Sequence, residues 1–258
     1  NEDILNTGLF YIDERNKKYI ERFKGRIIFP IKNVHGFIIG FGGRTIINSK
    51  FSKYINSPET IFFKKGNNLF NISNAKKTTN NDELLLVEGY MDVISLHKFG
   101  IYNVAANQGT ALTEKQFELA WRFFKTINIC FDGDKSGNAA AVRTAEKLFS
   151  ILKVDYNVFF IFLPNNLDPD NFINQNGKNE FINCVRQKIS AHDFIWNYYY
   201  QNVSSSDPSS FASFEKKIQN LCKQISDKSL SKYYNEYFLK KLNDLTPYLN
   251  IKKRNFIK

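Results

Sequence analysis

From residue 84 onward the chain alternates short, mainly apolar runs with longer segments of mixed character. Residues 84–87, 102–106, 127–131 and 156–162 form the runs. Runs this short, bounded by glycine and acid, predict strands buried on both faces. Between them, residues 91–99, 113–124 and 138–152 predict helices. Thr113 with Gln116 supplies a capping box for the second, and Ala139, Ala140 and Ala141 let the third pack closely on a sheet. Such alternation predicts an α/β fold, a compact and mostly parallel sheet flanked by helices on both faces.

The flanking segments have other patterns. Residues 26–31 and 37–41 are β-like and separated by turns, and Gly40-Phe41-Gly42-Gly43-Arg44 follows. Gly42 and Gly43 are read as either a hairpin turn or a close approach of backbone to a phosphate. The polar stretch 76–83 reads as a linker. Asp168-Pro169-Asp170 reads as a loop, and from Glu180 the chain is helical with a break at 204–210, where Ser, Asp and Pro cluster. Tyr198, Tyr199, Tyr200 and the aromatics of 233–238 fit helix packing better than base stacking. The pattern divides the chain into an α+β part (1–80), an α/β part (81–180) and a helical part (181–258).

Two of the predicted strands end in acids. Leu84-Leu85-Leu86-Val87 is followed by Glu88-Gly89-Tyr90-Met91-Asp92, and Ile127-Asn128-Ile129-Cys130-Phe131 by Asp132-Gly133-Asp134. In an open α/β sheet ligands bind beyond the carboxyl ends of the strands. Carboxylates converging there repel one another unless a divalent cation neutralises them, and oxygen donors suit Mg²⁺ or Mn²⁺. The expectation is a phosphoryl-transfer site in which Glu88, Asp132 and Asp134 approach a shared cation. An isolated Asp-Gly-Asp is usually a solvated turn; its combination with Glu88 at another strand end lifts it above that reading.

Charge adds a partner class. The 258 residues carry a formal charge of +11, which calls for an anionic partner. The acid-poor basic stretches lie in residues 1–80, upstream of the clustered acids, suggesting a basic track that feeds an acidic metal centre. No run of about 18 apolar residues occurs, so no membrane span is expected. Cys130, Cys184 and Cys222 lack Cys-x-x-Cys spacing and fit reduced core thiols of a cytosolic protein. His35, His97 and His192 show no ligand spacing. The first residue is Asn and no signal-peptide pattern follows, so a fragment of a longer protein is expected.

Seven motifs carry a resemblance. They are Gly-Arg-Ile-Ile-Phe-Pro-Ile (25–31), Gly-Phe-Gly-Gly-Arg (40–44), Lys-Tyr-Ile-Asn-Ser-Pro-Glu-Thr (53–60), Val-Glu-Gly-Tyr-Met-Asp-Val (87–93), Gly-Thr-Ala-Leu-Thr (109–113), Phe-Asp-Gly-Asp-Lys-Ser-Gly (131–137) and Asp-Pro-Asp (168–170). In this order they resemble the RNA polymerase core of the bacterial DnaG-type primases. The resemblance implies a Toprim-type sheet, a basic N-terminal subdomain that starts upstream of Asn1, and a helical C-terminal subdomain. It implies metal-dependent synthesis of RNA primers from ribonucleoside triphosphates on single-stranded DNA template, in the bacterial cytoplasm at the nucleoid. Glu88, Asp132 and Asp134 match the central catalytic and Mg²⁺- or Mn²⁺-binding acids; Asp92, Asp168 and Asp170 match supporting acids. Arg44, Lys53, Tyr54, Asn56 and Lys65 match positions at the nucleotide and template groove, with Arg26 in the strand motif beside them.

The resemblance also implies a zinc-binding module upstream of this segment and a replicative-helicase-binding domain after it. The chain departs from many relatives at Ala106-Asn107-Gln108, which is more polar. Two alternatives stand beside this reading. One is a different Toprim enzyme, a topoisomerase or nuclease; the other is a non-catalytic nucleic-acid-binding module.

Overall fold

The computed structural model describes residues 2–46, 52–78, 82–108, 111–204 and 207–245. Lys50, Gly109, Thr110 and the basic 252–254 segment lie outside the described residues. The chain opens with α1 (Glu2–Asn6) and a two-stranded hairpin of β1 (Phe10–Ile12) and β2 (Tyr19–Glu21). An antiparallel sheet follows, built from β3 (Arg26–Lys32), β4 (Ile38–Thr45) and β5 (Tyr54–Asn56). A 3₁₀ turn (Lys65–Asn67) and α2 (Ile72–Ala75) lead into the α/β part.

Gly42 and Gly43 are not in a turn. They sit inside β4, opposite Phe29 and Ile28 of β3 and Asn56 and Ile55 of β5. A Cβ on Gly42 would lie 2.6 Å from Tyr90 Cζ, and one on Gly43 would lie 2.6 Å from the Phe23 ring. Both glycines are there because aromatic rings press directly on the strand backbone, which corrects the turn and phosphate readings.

The α/β part runs β6 (Glu83–Val87), α3 (Tyr90–Lys98), β7 (Val104–Ala106), α4 (Glu114–Trp121), β8 (Thr126–Phe131), α5 (Lys135–Ile151) and β9 (Asn157–Phe162). Then come α6 (Pro169–Arg186), β10 (Ile189–Ser190), α7 (Ala191–Tyr200), α8 (Pro208–Gln224) and α9 (Lys228–Leu245). The five-stranded sheet has the order β10-β9-β8-β6-β7. All its pairs are parallel except the β10–β9 edge. Alternate residues of β6 feed opposite faces. Leu84 and Leu86 join a core with α4, α5, α7, α8 and Phe238 of α9, whereas Leu85 and Val87 join a core with α3 and α6. That two-sided burial is why the strand reads as an uninterrupted apolar run.

Asp168-Pro169-Asp170 opens a helix instead of lying in a loop. Asp168 Oδ1 accepts the Asn171 backbone N–H at 2.7 Å as the N-cap, and Pro169 occupies the first turn. An acid cap followed by proline favours helix initiation, because proline's fixed φ suits the first turn and its missing N–H is not needed there. The helical region therefore starts at Pro169, upstream of Glu180, and α6 runs across residues 180 and 181 with a break at Gly177. Among the described residues no helix is long and apolar enough to cross a membrane.

Candidate active site

The strand order decides where a ligand can sit. From β6 the chain steps to β7 on one side, then returns to place β8 and β9 on the other. Between β6 and β8 the connections diverge and leave a crevice at the carboxyl ends, the topological switch point of an open α/β sheet. Glu88 follows β6 and Asp132 follows β8, so both acids flank that crevice.

Local chemistry holds each acid in place. Asp134 is the N-cap of α5, its Oδ1 accepting the Gly137 N–H at 2.7 Å. Gly137 has no substitute here, since a Cβ would meet the Asp132 carbonyl oxygen at 2.1 Å. Asp92, at the third position of α3, accepts the Gly89 N–H (2.9 Å) through Oδ2 and the Asp170 N–H (3.2 Å) through Oδ1. Asp170 accepts hydrogen bonds from the Ser95 hydroxyl (2.5 Å) and the Asn174 amide (2.9 Å). The start of α6 is thus tied to α3 beneath the site.

The acids raise one another's pKa values. Burial pushes Asp132 up to about 7, with the negative charges of Glu88, Asp168 and Asp134 adding to it. Burial likewise pushes Asp92 up to about 7, opposed by the Gly89 and Asp170 N–H groups and reinforced by Asp132 and Asp168. Glu88 is raised by burial and by Asp134, against a hydrogen bond from the Asp132 backbone N–H. Such a cluster favours protons or a cation. Asp132 Oδ1 is buried with no hydrogen-bond partner among the described residues, and every donor is a hard carboxylate oxygen, a set that suits Mg²⁺ or Mn²⁺. As the side chains stand, no group of three His, Cys, Asp or Glu among the described residues encloses a cation position. Glu88, Asp132 and Asp134 are neighbours in charge, each raising the pKa of another or being raised by it.

The basic sheet faces these acids across one cleft of about 450 Å³. Arg44, Lys53, Tyr54 and Asn56 line it together with Glu88, Asp92, Asp132, Asp168 and Asp170. Tyr90 fixes the two halves. Its ring stacks on Phe29 of β3 with centroids 5.2 Å apart, meets Phe70 edge-on at 5.1 Å, and lies against Gly42. The Arg44 guanidinium and the Lys53 ammonium each lie 5.7 Å from the Tyr54 ring centroid, so one aromatic platform orients both cations. Burial raises the Tyr54 phenol pKa, opposed by Arg44.

Three of the expected residues stand outside the cleft lining. Asp134 flanks it as the α5 cap. Arg26 donates through Nη1 to the carbonyls of Ser52 (2.9 Å) and Lys53 (3.3 Å), holding the segment that leads into β5. Lys65 is half-buried in the 3₁₀ turn, where its carbonyl accepts from Gln116 Nε2 at 3.2 Å and its own amine is lowered by burial. Sequence reasoning missed Tyr90, Met91, Gln108 and Asn171 as lining residues. Tyr90 and Met91 lie inside the 87–93 motif, and Gln108 stands out in the sequence only as a polar departure from relatives.

A basic sheet stacked over an acid-ended switch point is the arrangement of a Toprim-type core. The signature of "DNA primase catalytic core, N-terminal domain" matches residues 1–76, and that of a "Toprim-like" domain matches residues 85–173. The chain is 38% identical over 245 residues to the DNA primase of Clostridium acetobutylicum, an alignment covering 95% of this chain and 39% of that protein. It resembles the crystal structure of a DNA primase domain from Pseudomonas aeruginosa with a TM-score of 0.87 and 32% identity, covering 95% of this chain and 76% of that one. It resembles a DnaG primase catalytic domain bound to single-stranded DNA with a TM-score of 0.85 and 31% identity, covering 95% and 75%. The chain belongs to the DnaG-type DNA primase family and spans about two fifths of the length of its full-length relatives.

Proposed function

We propose that this chain is the polymerising core of a primase, joining ribonucleoside triphosphates into an RNA primer on single-stranded DNA. The observation that carries the reading is the single cleft in which the basic motif and the switch-point acids face each other. Glu88, Asp132 and Asp134 would hold Mg²⁺ or Mn²⁺, with Asp92, Asp168 and Asp170 supporting them. Bound there, the cations would lower the pKa of the attacking 3′-hydroxyl and offset charge on the leaving pyrophosphate. Arg44 and Lys53 bind and orient the triphosphate by charge, pre-aligned on Tyr54. Arg26 positions Lys53 through its carbonyl, and Lys65 is assigned to the nucleotide and template groove with Arg44 and Lys53.

In this reading residues 1–80 are the basic subdomain, 81–180 the Toprim subdomain and 181–258 the helical subdomain. The longer protein acts in the cytoplasm at the nucleoid, with a zinc module and contact to the replicative helicase supplied from outside this chain. The test is de novo primer synthesis on single-stranded DNA with ribonucleotides and Mg²⁺ or Mn²⁺, using wild type, Asp132→Asn and Asp134→Asn. Both variants are expected to lose synthesis while keeping the wild-type circular dichroism spectrum. Wild-type turnover in either variant would refute the assignment of that acid. Cleavage or relaxation of DNA without nucleotides would point to a different Toprim chemistry.

A further inference from the structure

Gln108 is the least expected residue in the cleft. It lies two residues past β7, on a loop tied to β6 by the Asn107 N–H donating to the Val87 carbonyl at 3.2 Å. The residue is 4% exposed, yet neither carboxamide end has a hydrogen-bond partner among the described residues. Its backbone is left-handed, φ +66°, a conformation that disfavours side chains other than those of Gly, Asn and Asp. Of the seven buried polar atoms without partners among the described residues, four belong to Gln108, Asn56 and Asp132, all of which line this cleft. Buried amides are normally satisfied, so strain and two unmet ends on one residue mark a group kept for a ligand.

The chemistry of that ligand follows from what a carboxamide can accept. A phosphate would use the NH₂ and be repelled by the oxygen; a metal ion would use the oxygen and leave the NH₂ unmet. A group that both donates and accepts satisfies both ends. In a ribonucleoside triphosphate these are the base edge and the ribose hydroxyls. A polymerase that copies a template must admit four base edges, and a fixed, deep amide would penalise some of them. The sugar is common to all four.

We propose that Gln108 positions the incoming nucleotide by exchanging hydrogen bonds with its ribose hydroxyls, and so contributes to the choice of ribonucleotides over deoxyribonucleotides. The inference rests on the primase reading above. Equilibrium binding of ATP, 2′-deoxy-ATP and 3′-deoxy-ATP in the presence of Mg²⁺ tests it with wild type, Gln108→Met and Gln108→Gly. Wild type is expected to prefer ATP over at least one deoxy analogue by about five- to tenfold, the scale of one net hydrogen bond. Gln108→Met, of similar length but without the amide, is expected to weaken ATP and the analogue that retains the bonded hydroxyl, leave the analogue lacking it unchanged, and abolish that preference. Gln108→Gly is expected to abolish it as well while raising Tm, because glycine accepts φ +66° without strain. An unchanged sugar preference in Gln108→Met, or an equal loss for all three nucleotides, would overturn the proposal. Failure of wild type to bind any of the three would overturn the primase reading itself, a distinct outcome.

Discussion

Asp132 concentrates the electrostatics of the site in one carboxyl group. One of its oxygens is buried without a partner, and its pKa is pushed up to about 7 by burial and by the charges of Glu88, Asp168 and Asp134. An ordinary aspartate titrates near 3.9. Between these values the folded chain binds more protons than the unfolded one, so without a cation its stability falls as pH rises from about 4 to 7. Asp132→Asn removes that penalty. The variant is expected to be more stable than wild type by about 1–2 kcal/mol at pH 8 in EDTA, after allowance for solvent screening of this partly exposed group. It is expected to match wild type near pH 4.5, where Asp132 already carries its proton. Urea unfolding midpoints at both pH values give the comparison, and saturating Mg²⁺ is expected to shrink the difference at pH 8. An equal effect at the two pH values would exclude a charge origin.

At the level of elements, legibility depends on whether a segment's own residues settle its conformation. The strands between residues 84 and 162 were legible because burial on both faces leaves few polar positions, and Thr113 marked the start of α4 through its cap. Asp168-Pro169-Asp170 has turn-forming residues, but the same residues cap a helix, and only the packing of α6 against α3 decides between them. Gln108 gave little signal, being one polar residue in a loop whose unmet amide exists only once the strands on either side are in place. Gly42 is a similar case, since its reason is a ring from a distant helix. A methyl group there would lie 2.6 Å from Tyr90 Cζ, and the ring that seats the basic sheet would have to move. Gly42→Ala is expected to cost about 1–3 kcal/mol, the range for overpacking, and to weaken nucleotide binding by displacing Arg44 and Lys53. Combining it with Tyr90→Leu is expected to be less destabilising than the sum of the two single changes, as measured by urea unfolding. Strict additivity would show that the glycine does not answer to the ring.

Across the whole molecule the +11 charge is divided by position. The cleft sets Arg44 and Lys53 on one wall against Glu88, Asp92, Asp132, Asp168 and Asp170 on the other. An anionic strand is repelled from the acid wall unless cations screen it and is attracted to the basic wall, so under the proposed function the field of the molecule selects the side from which a template approaches. If that wall contacts phosphates, the contacts position a strand without reading bases. Single-stranded DNA affinity is then expected to fall with salt by about 0.7 log units per log unit for each phosphate neutralised. Lys53→Ala is expected to weaken binding to several unrelated sequences by a similar factor and to reduce the salt slope by about one phosphate's share. Titrating wild type and variant against a set of single-stranded DNAs at several salt concentrations separates the possibilities. A salt-independent affinity would remove the basic wall from template binding. A Lys53→Ala loss confined to one sequence would make the residue a base reader, contrary to its place on the aromatic platform of Tyr54.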